Sequence, residues 1–246
     1  MKKSILFLML LSVLFGCSKP SDCVESSGSL VSKEYNDFTF DKVIVYQGIS
    51  LVVTQGPTCK VEVKTGENLI GDIDVKVNNG TLILKDNTSC NWVREYGQTT
   101  IYITAPNMTD FISKTEKNIS SNGVLTFPII RLQALDLTDG AGTGDFNFQI
   151  DNNQLVIENN NVSNYYISGK TKQMLASFYE GNGRLEANNC QTDNITVFQR
   201  GSNDMILFPI ATITGDIYST GNVICKNYPI TAPTVTAHYR GKLIFN

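Results

Sequence analysis

The second half of this chain repeats itself about every twenty residues, and few folds accommodate such a period. Aligned on Gly123, Gly144, Asn164, Gly183, Asn203, Gly221 and Gly241, successive anchors stand 21, 20, 19, 20, 18 and 20 residues apart. Two residues after each anchor come Leu125, Phe146, Tyr166, Leu185, Met205, Val223 and Leu243, all apolar or aromatic. Four residues after come Phe127, Phe148, Ser168, Ala187, Leu207, Cys225 and Phe245, a column that only Ser168 breaks. Upstream of the anchors, Leu135/Leu137, Leu155/Ile157, Met174/Ala176 and Ile195/Val197 mark a second short alternating strand in each unit. Two strands and Gly/Asn turns per twenty residues suit one coil of an all-β parallel β-solenoid, similar to a right-handed β-helix. No coil buries its inward residues alone, but stacked coils about 4.8 Å apart share one core. The alternative is a β-sandwich, which also spaces its strands evenly but gives no reason for a column register.

Strand alternation turns the columns between these outward. One residue after the anchors the outer column reads Val124, Asp145, Tyr165, Arg184, Asp204, Asn222 and Lys242. Its mixed signs read as a solvated ladder, with Arg184 and Asp204 as neighbours, rather than a catalytic groove. Three residues after the anchors it reads Thr126, Asn147, Ile167, Glu186, Ile206, Ile224 and Ile244. Three isoleucines on consecutive coils predict an apolar stripe, covered either by the chain itself or by a partner or second copy. Ile206, Ile224 and Ile244 are therefore the candidate interaction stripe.

The first half is also β. Val43 and Val45, then Ile49, Leu51 and Val53, alternate, and Ile73, Val75 and Val77 run into Asn78-Asn79-Gly80 before Leu82 and Leu84. Alternating apolar runs on both sides of Asn-Gly predict a hairpin. One solenoid domain is expected over 38–246. Residues 17–37, rich in Ser and charge, read as a tether. Before it, Met1-Lys2-Lys3 and the apolar run to Phe15 have the layout of a secretory signal, over 1–16, too short to span a bilayer. Leu14-Phe15-Gly16-Cys17 resembles the lipobox of bacterial lipoprotein precursors, which implies cleavage before Cys17 and lipid on that cysteine. Each buried CH₂ of such an anchor contributes about 0.8 kcal/mol. Ser18 in place of an aspartate favours the outer membrane, on its periplasmic or cell-surface side. Losing Lys2 and Lys3 with the signal takes the formal charge from −3 to −5, with no basic run for nucleic acid.

With Cys17 acylated, Cys23, Cys59, Cys90, Cys190 and Cys225 remain, an odd number that leaves at least one free thiol. Cys23 with Cys90 is the candidate disulfide, which would fasten the tether to the first layers; Cys59 with Cys90 is the alternative. Cys190 and Cys225 lie two coils apart, beyond disulfide reach. His238 is the only histidine and no CxxC occurs, so no metal site or cofactor is expected. The glycine-rich segment 139–145 has some likeness to calcium-binding repeats but occurs once, without their glycine spacing, and reads as a turn. Trp92 could stack on a sugar but reads as a loop anchor. No grouping of carboxylates or nucleophiles suggests an enzyme.

The segments Phe40-Asp41-Lys42-Val43 and Gly48-Ile49-Ser50-Leu51-Val52-Val53-Thr54-Gln55-Gly56 carry a family resemblance. Together with Val61-Glu62-Val63, Glu67-Asn68-Leu69 and Asn79-Gly80-Thr81-Leu82, they resemble the opening of the head GIN domain family. That family is described as heads of auto-transporter adhesins and is common in lipoproteins of Bacteroidetes. The likeness covers most of 38–245 and implies a β-helical domain with an adhesive role and no catalytic residues. The expected function is a lipid-anchored binding or adhesion module for a glycan or protein, with a homo-oligomer as a further outcome. The alternative is a structural envelope lipoprotein that pairs with an assembly partner.

Overall fold

The computed structural model describes residues 26–88, 98–136, 140 and 142–246. Among them there is no helix, and the chain winds into a β-solenoid of about six turns with ~21-residue coils stacked in parallel. Successive coils pair in parallel over long registers, which excludes the sandwich.

The first half supplies β1 (Leu30–Tyr35), β2 (Lys42–Tyr46), β3 (Ile49–Gln55), β4 (Lys60–Gly66), β5 (Ile73–Asn78) and β6 (Thr81–Asp86). Next come β7 (Thr99–Ala105), β8 (Asp110–Lys114), β9 (Ile119–Leu125) and β10 (Ile129–Ala134). Four long strands follow: β11 (Phe146–Asn159), β12 (Asn164–Phe178), β13 (Arg184–Gln199) and β14 (Met205–Ile217). The last are β15 (Val223–Cys225), β16 (Thr234–Ala237) and β17 (Leu243–Phe245).

All of them join one sheet folded into two walls. The first wall runs β1-β4-β7-β3-β9-β11-β12-β13-β14-β15-β17. The second runs β5-β6-β2-β8-β10-β11-β12-β13-β14-β16. The long strands serve both walls because each turns a corner midway, and the pairing skips Asn153 and Lys172 there. Alternation also slips at the corner: Phe146, Phe148 and Ile150 point inward before it, Leu155 and Ile157 after it. Each coil therefore reads in sequence as two alternating runs out of phase. The inner corner column is polar and still buried. Thr171 Oγ1 donates to Gln173 O at 3.2 Å, Thr192 Oγ1 to Cys190 O at 3.2 Å, and Asn152 Nδ2 to Gln154 O at 3.0 Å.

The core columns are fully buried at Phe146, Leu185, Met205 and Val223, each worth about 1.5–3 kcal/mol relative to exposure. The anchors behind them are small because turns of adjacent coils nearly touch. A Cβ on Gly144 would lie 1.9 Å from Lys117 O, and one on Gly221 2.1 Å from Asn203 O.

Four expectations need correction. The anchor of the third coil is Ser163, not Asn164: Phe146 pairs with Tyr165, which is buried, while Tyr166 is 43% exposed. Ser163 is itself buried and donates to Gly142 O at 3.1 Å, so a serine fits where glycines stand elsewhere. The shift turns Ile167 inward and puts Tyr166 in the outer column in its place. Gly123 is not an anchor either. Phe146 lies over Ile119, the register shifts beyond Asn147, and Gly123 sits at φ +88° in open space, so Thr126 leaves the outer column to Ser120. In the second wall the inward pair of β10 is Ile130/Leu132, in register with Leu155/Ile157; Leu135 lies beyond the strand and Leu137 outside the described residues. Last, the segment read as a tether contains β1, antiparallel to β4 along its whole length. Its Ser, Lys and Glu side chains suit an edge strand, where charge discourages further pairing. Antiparallel β1, β4 and β5 thus close the N-terminal end, as a terminal repeat must. The Asn79-Gly80 hairpin joins β5 to β6, with φ of 48° and 76° at its two turn residues, as a type I′ turn requires.

Candidate functional site

The outer surface of the first wall is a grid, with coils in one direction and alternate residues of each strand in the other. Its first column reads Asn118, Asp145, Asn164, Arg184, Asp204, Asn222 and Lys242, and its side chains bond along the stack. Asn118 Oδ1 accepts from Asp145 N at 3.4 Å, and Asp145 Oδ1 accepts from Asn164 N and Nδ2 at 3.1 and 3.0 Å. Asp204 Oδ1 accepts from Asn222 N and Nδ2, both at 2.9 Å, and Asn222 Oδ1 from Lys242 N at 3.1 Å. Short acceptors satisfy the first backbone N–H of the next strand, which explains the Asx residues. Arg184 interrupts the ladder and bridges it instead, 2.6 Å from Glu186 Oε1 and 3.6 Å from Asp204 Oδ2. This column is structural.

The next column reads Asn147, Tyr166, Glu186, Ile206, Ile224 and Ile244 in unbroken register. The three isoleucines do stand on consecutive coils facing outward, each half-buried. Toward the N-terminal side the same column becomes polar and borders a shallow groove of about 590 Å³. Asn147, Tyr166 and Glu186 form one side of it, and Gln149, Ser168 and Asn189 lie one alternation further along the strands. Between them β13 carries one extra residue: Tyr166 and Ser168 pair with Glu186 and Asn189. Such a bulge bends a strand and opens the surface beside it, and here it delivers Asn188 to the groove.

The second wall carries a ladder of rings. Tyr179 and Phe198 lie 5.9 Å apart, Phe198 and Tyr218 5.3 Å, and Tyr218 and His238 4.3 Å with planes 4° from parallel. His238 Nε2 lies 2.7 Å from Asp216 Oδ1, and Tyr179 OH donates to Glu158 Oε1 at 3.0 Å. Burial and the neighbouring Glu158 carboxylate push the Tyr179 hydroxyl above its ordinary pKa. Each ring contacts the next coil's ring, and Tyr179 and His238 are also hydrogen-bonded at their polar tips, so the ladder ties successive coils together.

Cys17, Cys23, Cys90 and Trp92 lie outside the described residues. Cys190 and Cys225 are buried free thiols, and burial pushes their pKa up to about 11 and about 12. Cys59 is a half-buried free thiol, 3.9 Å from Phe40 O. Of the glycine-rich segment, Asp139 and Ala141 lie outside the described residues; Gly140 O accepts from Lys114 Nζ at 2.8 Å, and Thr143 and Gly144 N–H groups donate to Thr115 O. Among the described residues no group of three or more His, Cys, Asp or Glu side chains is placed to hold a metal. Column periodicity hides the groove because it places Tyr166 inward. The signal was present in the Tyr165-Tyr166 pair, either of which satisfies an apolar column.

The solved structures similar to this chain share its fold. A putative adhesin from Bacteroides fragilis superposes with a TM-score of 0.79 at 18% identity, covering 90% of this chain and all (100%) of the other. A putative adhesin from Parabacteroides distasonis gives 0.65 at 12% identity, over 90% and 99% of the two chains. A putative lipid binding protein from Parabacteroides distasonis gives 0.56 at 14% identity, over 88% and 97%. No curated protein matches. The model of one protein family matches residues 39–229, which is most of the chain, and this chain belongs to that family, described as putative auto-transporter adhesin, head GIN domain.

Proposed function

We propose that the chain is an outer-membrane lipoprotein, held by lipid on Cys17, that displays its solenoid as a binding or adhesion module. Membership in an adhesin family carries this reading. The N-terminal sequence supports it, with two lysines, an apolar run and Leu-Phe-Gly-Cys in the order a lipoprotein signal requires. The geometry agrees with it. A stacked sheet presents long, flat, rigid walls, and repeat scaffolds use such extended surfaces for binding. The surface feature suited to contact is on the first wall, where the groove and the isoleucine stripe share one column.

Two measurements test the proposal. Metabolic labelling with a fatty acid marks the wild-type protein, and Cys17→Ala abolishes the label and releases the protein from the membrane fraction. Protease treatment of intact cells removes the domain, and cells lacking the protein adhere less. Normal labelling of Cys17→Ala overturns the anchor. Full protection of the domain in intact cells, with co-purification of one envelope protein, favours a structural envelope role instead.

A further inference from the structure

Resting on the reading of this domain as a binding module, we infer that the first-wall groove is a subsite for a neutral carbohydrate. Three features of the groove converge on that class of ligand. The first is an open aromatic face. Tyr166 is 43% exposed, and no ring among the described residues contacts it, whereas each ring of the second-wall ladder has an aromatic neighbour within 6 Å. An exposed ring pointing out of a rigid sheet offers an apolar face that the C–H side of a sugar ring can cover.

The second feature is the amide lining. Among the described residues, no hydrogen bond engages the side-chain amides of Asn147, Gln149, Asn188 or Asn189, all of which border the groove. An amide side chain presents an acceptor oxygen and two donor hydrogens within one plane. A hydroxyl also donates and accepts, so a row of hydroxyls matches a row of amides better than a carboxylate, a phosphate or an apolar chain does. The Asx side chains of the neighbouring ladder are used up in bonding along the stack, whereas the amides of the groove are open to a ligand.

The third feature is charge. Among the described residues, Glu186 is the one charged side chain that lines the groove. Its carboxylate is held by Arg184 at 2.6 Å. A paired anion accepts hydroxyl hydrogens but does not attract a charged ligand from solution. The dimensions agree: three coils span about 10 Å along the stack, enough for a short stretch of glycan lying across Asn147, Tyr166 and Glu186. Because strands and coils fix the grid, the side chains are held in place before the ligand arrives, which limits the entropy lost on binding.

The test uses the intact protein in detergent, applied to immobilised glucans, mannans, galactans and N-acetylglucosamine oligomers, with polygalacturonate as an acidic comparison. The expected result is retention on a neutral glycan that Tyr166→Ala weakens about tenfold, the loss of one stacked ring. Gln149→Ala and Asn189→Ala weaken it several-fold, while Lys172→Ala, at the corner, leaves it unchanged. Melting temperatures stay at the wild-type value. Should Tyr166→Ala lower the melting temperature, the exposed Gln149→Ala variant carries the comparison. No retention on any neutral glycan, retention on polygalacturonate alone, or retention indifferent to Tyr166→Ala and Gln149→Ala overturns the inference. Those outcomes leave the lipid label and the surface exposure of the domain untouched, so this inference fails separately from the proposed function.

Discussion

Tyr165 lies face to face with Phe146 of the coil before it, ring centroids 4.8 Å apart and planes 4° from parallel, while the adjoining Tyr166 faces solvent. The stack and a 3.3 Å hydrogen bond from Tyr165 OH to Asn159 Oδ1 choose between two tyrosines that the sequence leaves equivalent. Tyr165→Ala is expected to cost about 3–5 kcal/mol, as a large ring removed from a packed core does. Tyr166→Ala is expected to stay within about 0.5 kcal/mol of the wild type. Urea unfolding of the two variants measures the difference, and equal losses contradict the register.

The same register separates Arg184 from Leu185. Arg184 is a half-buried surface residue whose ion pairs with Glu186 and Asp204 are open to water. Its replacement by alanine should cost about 1 kcal/mol or less. Leu185→Asp places a carboxylate between stacked coils at a position with no exposure, and should unfold the domain or cost upwards of about 4 kcal/mol. Thermal melts of the pair distinguish an inward from an outward column.

Asp204 tests the side-chain ladder. Its carboxylate accepts two hydrogen bonds from Asn222, so Asp204→Ala leaves the Asn222 N–H without its partner and should cost about 1–3 kcal/mol. Asp204→Asn keeps an acceptor oxygen and should recover most of that loss. Failure of asparagine to rescue stability would show that the charge facing Arg184, not the ladder bond, is the important part.

Cys190 and Cys225 make the folded state sensitive to alkali. Their folded pKa values stand at about 11 and about 12, raised by burial from the ordinary value of 9.0. Below pH 9 both thiols are protonated whether the chain is folded or not, and they add no pH dependence. Above pH 9 the unfolded chain releases these protons first, so stability falls as pH rises toward 11 and 12. Melting curves between pH 8 and pH 11 should show this decline, and Cys225→Ala should flatten it. At pH 8 neither thiol should react with iodoacetamide until the chain is unfolded. Rapid labelling of the native protein at Cys190 or Cys225 would contradict their burial.

The isoleucine stripe separates contact from core. Ile206, Ile224 and Ile244 face outward and are half-buried, so Ile206→Lys with Ile224→Lys places two charges where water can reach them. The double variant is expected to keep its melting temperature and to lose self-association or partner binding, read by sedimentation and co-purification. Unfolding or aggregation of the variant would show these isoleucines to be core.

The sequence by itself determined the architecture. A period near twenty residues, small anchors and inward apolar columns admit stacked coils, and the anchors at Gly144, Gly183, Asn203, Gly221 and Gly241 keep their register in the structure. The outward isoleucines followed from the same alternation. Tertiary structure decided what periodicity leaves degenerate. Tyr165 and Tyr166 are equally apolar, and only a ring waiting below, at Phe146, selects one of them. The extra residue in β13 is invisible to a spacing count, because a bulge changes pairing without changing composition. The groove depends on both: on a tyrosine turned outward by its neighbour's stacking, and on amides from two coils that lie some forty residues apart in sequence. Inward positions are legible because the core constrains every coil alike, whereas an outward site is made by neighbours that only stacking brings together.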